Sequence, residues 1–247
     1  TASGEKATVS GGEGNTASGG WTVASGGREN EAGANYATVS GGYENTTDST
    51  YSAISGGYSN NITGASSNSF VGGGNNNTVS DSEESVITGG KEGAVEEGSN
   101  LSVVCGGQGN KVYGASTHSV VSGGFENFIF DDSTHSVISG GYENYIDDSV
   151  YSTVSGGELC FISASPHSVL SGGKSNSISS EYGTVSGGVN NVISGSSSFS
   201  AIVGGGGELL YGSGVSSGAV FVPPETGLEG NYVDKSACSF IGGGASS

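Results

Sequence analysis

Three histidines are the residues of this chain that could most readily bind a metal ion. His118, His135 and His167 occupy one position in copies of a short repeat, and the first two stand in neighbouring copies. Imidazole nitrogens suit a metal such as zinc, but no further ligands lie nearby in the sequence to complete a set of three or four. The same position holds aromatic side chains in other copies: Trp21, Tyr36, Tyr51, Tyr151 and Tyr182. We call the residues at one position of successive copies a column. This column indicates stacked planar side chains rather than a metal site.

Pairs of carboxylates recur at a second position of the repeat. The pairs are Asp131-Asp132, Asp147-Asp148 and, in an earlier copy, Glu96-Glu97. Stacked carboxylates repel one another, and a hard cation such as Ca²⁺ could bridge them through oxygen ligands. Neither an EF-hand nor the calcium-binding nonapeptide motif is present. We therefore expect a solvated acidic edge whose four aspartates are candidate calcium ligands, and no other cofactor.

Cysteines and sequons are the residues open to covalent modification. The three cysteines are odd in number and do not form a disulfide framework. Cys105 replaces a serine of the repeat and Cys160 an asparagine, too many copies apart to bond each other. Cys238, in the irregular C-terminal part, is the candidate for an interchain disulfide. Four sequons permit N-glycosylation without requiring it, and they begin at Asn45, Asn61, Asn76 and Asn100.

Charge and motifs exclude several classes of function. The chain has 24 Asp and Glu against 6 Lys and Arg, a net charge of −18, which excludes nucleic acid as a partner and disfavours anionic membranes. No apolar run approaches the roughly 18 residues of a membrane span, so we expect no membrane insertion. No Ser-His-Asp or Cys-His set has a recognisable local signature. We therefore expect no catalytic residues, and a protein that is not an enzyme.

The element that must position these residues is a repeat built around Ser-Gly-Gly. Its copies follow one another at 15 to 18 residues, too short for a helix pair and too variable for heptads. Glycine is 49 of 247 residues, yet Val, Ile and Tyr recur at fixed spacing, which argues against disorder. We predict an all-β fold, a parallel β-solenoid (β-roll) with two short strands per coil and about 14 coils. Residues 1–206 hold the regular repeats, and 207–247 hold irregular final coils with an insertion and a last row at Ile241.

Columns of the repeat predict the interior of the solenoid. The apolar residue before Ser-Gly-Gly, from Val9 to Val203, points inward together with a small residue two positions earlier, because alternate strand residues share a face. The two glycines turn the chain, since glycine tolerates a positive φ. An asparagine follows three positions later in ten of thirteen copies; it tolerates the left-handed conformation and can bond its neighbours as a ladder. The predicted ladder comprises Asn15, Asn30, Asn45, Asn60, Asn77, Asn110, Asn127, Asn144, Asn176 and Asn191.

The residue just before the inward apolar residue predicts an interface. It points outward and is β-branched or apolar in most copies, and strands apolar on both faces are normally covered on both. Closed cyclic symmetry would bury such a stripe; alternatively, Val and Thr are simply good strand formers at a surface. The interface stripe consists of Val86, Val103, Val120, Val137, Thr153, Val169, Thr184 and Ile202.

Segments such as NYATVSGGYENTTDSTYSAISGGYSNNITG, residues 35–64, resemble the head repeats of trimeric autotransporter adhesins and haemagglutinin-like surface proteins. In that family, short repeats form left-handed parallel β-rolls that associate as trimers and display an adhesive head. The resemblance covers roughly residues 1–206 and a last row at 239–243. It implies an extracellular or cell-surface location, self-association as a homotrimer, and surface glycans or matrix as further partners. The repeats here are longer, with a double glycine and an asparagine column.

Three functions remain open from the sequence. The first is a non-enzymatic extracellular structural or adhesive solenoid that forms a rod or a head-to-tail filament of a surface appendage, because neither end of the repeat array carries a polar cap. The second is an ice-binding solenoid, which needs a Thr-x-Thr lattice that the mixed outward residues do not provide. The third is a glycan-binding or glycan-degrading β-helix protein, which needs wider coils and longer loops.

Overall fold

The computed structural model confirms the predicted all-β parallel solenoid. It describes residues 1–195 and 198–205, together with the backbone of four later strands that lie between 208 and 242. These residues form strands and turns, and no helix among them is long and apolar enough to cross a membrane. The chain divides into two compact units, Thr1–Phe125 and Glu126–Ser247. Cys238 lies outside the described residues.

In the first unit each coil contributes two strands of two or three residues. Odd-numbered strands pair in parallel in the order β1-β3-β5-β7-β9-β11-β13-β15, and even-numbered strands form a second sheet from β2 to β14. The strands are β1 (Thr8–Val9), β2 (Thr16–Ala17), β3 (Val23–Ala24), β4 (Glu31–Ala32), β5 (Thr38–Val39), β6 (Thr46–Thr47), β7 (Ala53–Ile54), β8 (Asn61–Thr63), β9 (Phe70–Val71), β10 (Thr78–Ser80), β11 (Val86–Ile87), β12 (Ala94–Val95), β13 (Val103–Val104), β14 (Lys111–Val112) and β15 (Val120–Val121).

The second unit repeats this arrangement and adds a crossover at its C-terminal end. One sheet has the order β17-β19-β21-β23-β25-β29-β27 and the other β16-β18-β20-β22-β24-β28-β26. The strands are β16 (Phe128–Phe130), β17 (Val137–Ile138), β18 (Tyr145–Asp147), β19 (Thr153–Val154), β20 (Phe161–Ser163), β21 (Val169–Leu170), β22 (Ser177–Ile178), β23 (Thr184–Val185), β24 (Val192–Ser194), β25 (Ala201–Val203), β26 (Glu208–Leu209), β27 (Gly218–Phe221), β28 (Asn231–Asp234) and β29 (Ser239–Gly242).

The core of each unit is a narrow space between its two sheets. Within one coil, Ile54 from the first strand and Ile62 from the second are both fully buried, as are Ile138 and Ile146 in the second unit. Burying an isoleucine contributes about 1.5–3 kcal/mol. Because each coil has only about two such side chains, polar groups must occupy the rest of the interior.

The predicted inward column was wrong at its last regular copy. Val203 was expected inside and Ile202 outside, but Val185 pairs with Ile202 in the sheet. Ile202 is fully buried, whereas Val203 is 45% exposed. The run Ala201-Ile202-Val203 offers two large apolar residues, and the sheet register selects the one that has the small, buried Ser200 two positions earlier. Ile202 therefore does not belong to the interface stripe, and Ala201 takes the outward position.

Candidate functional site

The asparagine column forms a buried hydrogen-bonded ladder. The Asn60 Nδ2 donates to Asn45 Oδ1 at 3.0 Å and to the carbonyl oxygens of Gly56 and Gly74 at 3.0 and 3.1 Å. The Asn60 backbone N–H donates to the same Asn45 Oδ1 at 3.0 Å. Each side-chain amide thus donates to a glycine carbonyl oxygen in the Gly-Gly corner of its own coil and to another in the corner of the next coil. Side chain to side chain bonds of this kind run from Asn15 to Asn77, and they join Asn127 to Asn144 and Asn176 to Asn191.

The conformational reason expected for asparagine was wrong. In the corner, positive φ angles belong to the glycines and to the residue before the asparagine, for example 96° at Gly57 and 53° at Ser59, and not to the asparagine. Asparagine is selected for its amide, which bonds to backbone carbonyl groups in a buried space where unpaired polar groups are costly. The ladder is therefore a structural element of the core rather than a surface site.

Cys160 interrupts this ladder in the second unit. Its backbone N–H still donates to Asn144 Oδ1 at 3.0 Å, but its sulfur lies 3.7–3.8 Å from the carbonyl oxygens of Gly172 and Gly173. Burial raises the pKa of the Cys160 thiol, so it stays protonated and unreactive. Both thiols are free, but Cys105 is exposed where Cys160 is buried.

We expect Cys160→Asn to stabilise the protein. An amide at this position can donate to Asn144 Oδ1 and to the glycine carbonyls, as Asn60 does in the first unit, and each added buried hydrogen bond contributes about 1 kcal/mol. Thermal unfolding followed by circular dichroism should show a higher midpoint than in the parent chain. Cys105→Ser is the matched control, because it removes an exposed thiol, and its midpoint should stay within error. A lower midpoint for Cys160→Asn would contradict the role assigned to the ladder.

The histidine and aromatic column forms stacks on the outer corner. In the first unit, Trp21 and Tyr36 stack with ring centroids 5.2 Å apart, and Tyr36 and Tyr51 stack at 4.6 Å. The Lys6 ammonium lies 4.8 Å from the Trp21 ring. The second unit holds a stack of five rings at spacings of 4.6–5.3 Å: His135, Tyr151, His167, Tyr182 and Phe199. The stacked planar side chains predicted from the sequence are present in both units.

Stacking explains why aromatic residues are found at a position that disfavours them. The column has a left-handed backbone, with φ of 55° at Trp21, 60° at Tyr36 and 61° at His167. This conformation costs an L-residue about 1–2 kcal/mol, and an aromatic pair contributes about 0.5–1.5 kcal/mol beyond burial. The two terms are similar, so the stack offsets the backbone strain. Because neighbouring rings cover each other's faces, a ligand meets mainly ring edges here.

The stack also separates two of the candidate metal ligands. Tyr151 lies between His135 and His167, with centroid distances of 4.8 and 5.3 Å. The two imidazoles therefore cannot share one ion. The His118 Nδ1 lies 3.2 Å from the Thr117 hydroxyl oxygen.

The paired aspartates lie at the surface, at the end of the second strand of a coil and in the turn after it. They lie beside a column of serines that was not predicted from the sequence. Asp131, Asp132 and Asp148 are exposed, and Asp147 accepts a hydrogen bond from the Ser163 hydroxyl at 3.0 Å. Within the described ranges, no three His, Cys, Asp or Glu side chains converge as a metal site would require. Calcium binding at the four aspartates stays a prediction.

The missed column is a buried serine three residues before the small inward residue. Its hydroxyl accepts a hydrogen bond from the backbone N–H of the equivalent serine in the next coil: Ser82 donates to Ser66 at 3.2 Å, and Ser99 to Ser82 at 3.1 Å. The second unit repeats this from Ser149 to Ser133 at 3.0 Å. The recurrence of serine at this spacing is visible in the sequence and could have revealed the column.

The sequons divide into buried and accessible ones. Asn45 is fully buried in the ladder, so its side chain is not accessible for a glycan in the folded chain. The Asn100 Oδ1 accepts a hydrogen bond from the Glu83 backbone N–H at 2.6 Å, and Asn61 is half-buried. Asn76 is exposed at a turn, which makes it the most accessible of the four for a glycan.

The interface stripe is solvent-accessible in each unit. Its members pair in register, Val86 with Val103 and Val169 with Thr184. Most are half-buried, and Val169 is 37% exposed. The outward direction of the stripe is therefore as predicted, apart from Ile202.

A polar groove of about 560 Å³ lies on the first unit, on the outer side of the second strands. Its floor includes Thr46, Asn61 and Thr78, which pair in register on neighbouring coils. Glu44 and Asp48 add carboxylates to the lining. The groove offers hydroxyl, amide and carboxylate groups to a polar ligand.

No protein-family model matches the chain, and no curated protein is significantly similar to it.

Proposed function

We propose that the protein is a non-enzymatic structural and adhesive solenoid that works outside the cell, at the cell surface. The observation that carries this proposal is the outward stripe of β-branched and apolar side chains, which repeats from coil to coil within each unit. A regular apolar row of this kind is typical of an interaction surface. Two of the histidines that the sequence offered as metal ligands, His135 and His167, instead stack on Tyr151 between coils.

The partner that best fits the stripe is a further copy of the same chain. Identical stripes can meet around a rotation axis, which buries the apolar row and leaves the acidic turns in water. The net charge of −18 favours an assembly that keeps the carboxylates apart. We therefore propose a homotrimer, a rod or head-to-tail filament being its extended form. Surface glycans or matrix are the proposed external ligands, and the polar groove could receive their hydroxyl groups.

Val137→Asp tests this assembly. A carboxylate in the centre of an apolar interface is desolvated without a partner, so we expect self-association to weaken at least tenfold, which corresponds to about 1.4 kcal/mol. Sedimentation velocity over a concentration series measures the change. Val192→Asp is the matched control, since Val192 is also a half-buried outward strand residue but lies in the other sheet.

The parent chain and Val192→Asp should sediment as oligomers, and Val137→Asp as a monomer with an unchanged far-ultraviolet circular dichroism spectrum. A monomeric parent chain, or equal dissociation of both variants, would contradict assembly through the stripe.

A further inference from the structure

Two tyrosines on neighbouring coils of the first unit lie face to face at the surface. The Tyr36 and Tyr51 ring centroids are 4.6 Å apart, and the ring planes are inclined by 9°. Tyr36 is 42% exposed and Tyr51 is 58% exposed. Backbone hydrogen bonds between coils hold both residues, since the Tyr36 N–H donates to Gly20 O at 2.8 Å and the Tyr51 N–H to Asn35 O at 3.2 Å. The phenols are therefore both close together and open to solvent.

We propose that Tyr36 and Tyr51 are an oxidative modification site, at which a one-electron oxidant such as a peroxidase with hydrogen peroxide forms an intramolecular dityrosine. Each phenol loses one electron and one proton. The two radicals then join through a carbon–carbon bond between ring positions next to the hydroxyl groups. The hydrogen atoms on those carbons move to the oxygens and restore two phenols. The two hydrogen atoms lost overall reduce one hydrogen peroxide to two water molecules.

Proximity favours this pair, because coupling within one molecule replaces a bimolecular encounter. Trp21 stacks on the other face of Tyr36 at 5.2 Å, so a radical formed on the indole lies next to a phenol that can reduce it. The chain contains no methionine, which removes one competing site of oxidation.

A second tyrosine pair in the same unit is less suited to coupling. The Tyr43 and Tyr58 centroids lie 5.4 Å apart with planes tilted by 39°. The Arg28 guanidinium lies 5.2 Å from the Tyr43 ring centroid. A hydrogen bond to Glu44 engages the Tyr43 hydroxyl group and raises the pKa of this phenol to about 12.

In the second unit the equivalent column alternates phenols with imidazoles. Tyr151 and Tyr182 are separated by His167, at centroid distances of 5.3 and 5.0 Å. Tyr182 stacks on Phe199 at 4.6 Å, and a phenylalanine ring has no hydroxyl group to oxidise. This corner position therefore places two tyrosines side by side in the first unit, where they can couple. In the described part of the second unit, each tyrosine of the column stacks on a histidine or a phenylalanine instead.

The test treats the purified full chain with peroxidase and hydrogen peroxide at low protein concentration. Dityrosine fluorescence reports the product, and peptide mass spectrometry locates it. We expect a cross-linked peptide that joins the segments of Tyr36 and Tyr51 and is two hydrogen atoms lighter than their sum. Tyr51→Phe keeps the stacked ring but should lose this peptide, whereas Tyr58→Phe, the matched control, should retain it.

Treatment in concentrated urea separates proximity in the fold from general reactivity. The Tyr36–Tyr51 peptide should be lost there while other tyrosine oxidation continues. The proposal is overturned if the native chain yields no such peptide, if its cross-links join only different molecules, or if Tyr43–Tyr58 coupling is equally abundant.

Discussion

Gly57→Ala should lower the free energy of unfolding by at least about 2 kcal/mol. Gly57 has a φ of +96°, and a Cβ atom there would lie 2.3 Å from the Gly74 carbonyl oxygen and 2.5 Å from Asn60 Nδ2. Both contacts are too short, and the first is to the backbone of the next coil, which cannot move without breaking the stack. Urea unfolding followed by circular dichroism measures the loss.

Gly89→Ala is the matched control for this substitution. Gly89 is the first glycine of another Gly-Gly corner in the same unit, and a Cβ atom there would meet nothing within 4 Å. Alanine reduces the conformational entropy of the unfolded chain, so we expect no loss and a gain of up to about 1 kcal/mol. Equal destabilisation by both substitutions would mean that the close contact between coils does not exist.

The second large effect is expected at the centre of the asparagine ladder. Asn60→Ala removes the donors to Asn45 Oδ1 and to the carbonyls of Gly56 and Gly74. It also removes the acceptor for the Asn77 N–H and Nδ2. Leaving several buried polar groups unpaired costs about 1–3 kcal/mol each before relaxation, so we expect a total loss of about 3 kcal/mol or more.

The adjacent Asn61 provides the control for the ladder. Asn61 is a half-buried outward residue, and its Oδ1 has no hydrogen-bond partner. Asn61→Ala should therefore cost under about 1 kcal/mol. Urea midpoints for the two variants would be measured in parallel. Similar midpoints would contradict the view that buried amides, rather than asparagine content in general, hold the coils together.

The fold was predictable because each coil repeats the same pattern of inward residues, outward residues and glycine corners. Inward residues such as Ile54 and Ile138 recur beside a small residue, and the two-residue periodicity of a strand leaves one assignment of faces. The glycine corner was predictable for the same reason, since φ at Gly57 is one that glycine adopts readily. Ile202 and Val203 are adjacent apolar residues, so periodicity alone allows either of them to point inward. The register with the neighbouring strand determines that Ile202 is the buried one.

The candidate site was less predictable than the fold. The stacked rings could be predicted from their shared column, but not that the stack compensates for a left-handed backbone at Tyr36 and His167. Burial of Asn45 could not be seen from its sequon, because a sequon is a local pattern and the ladder depends on contacts between coils. The function of the outward stripe depends on what covers Val137, which a single chain does not specify.

A crystal structure of the chain is the most direct test of coiling with one turn per Ser-Gly-Gly. It should place Val39, Ile54 and Val71 on successive strands of one parallel sheet, as they pair here, at a spacing of about 4.8 Å. A structure in which Ile54 is not a sheet neighbour of Val39 and Val71 would contradict the ladders, the stacks and the stripe together.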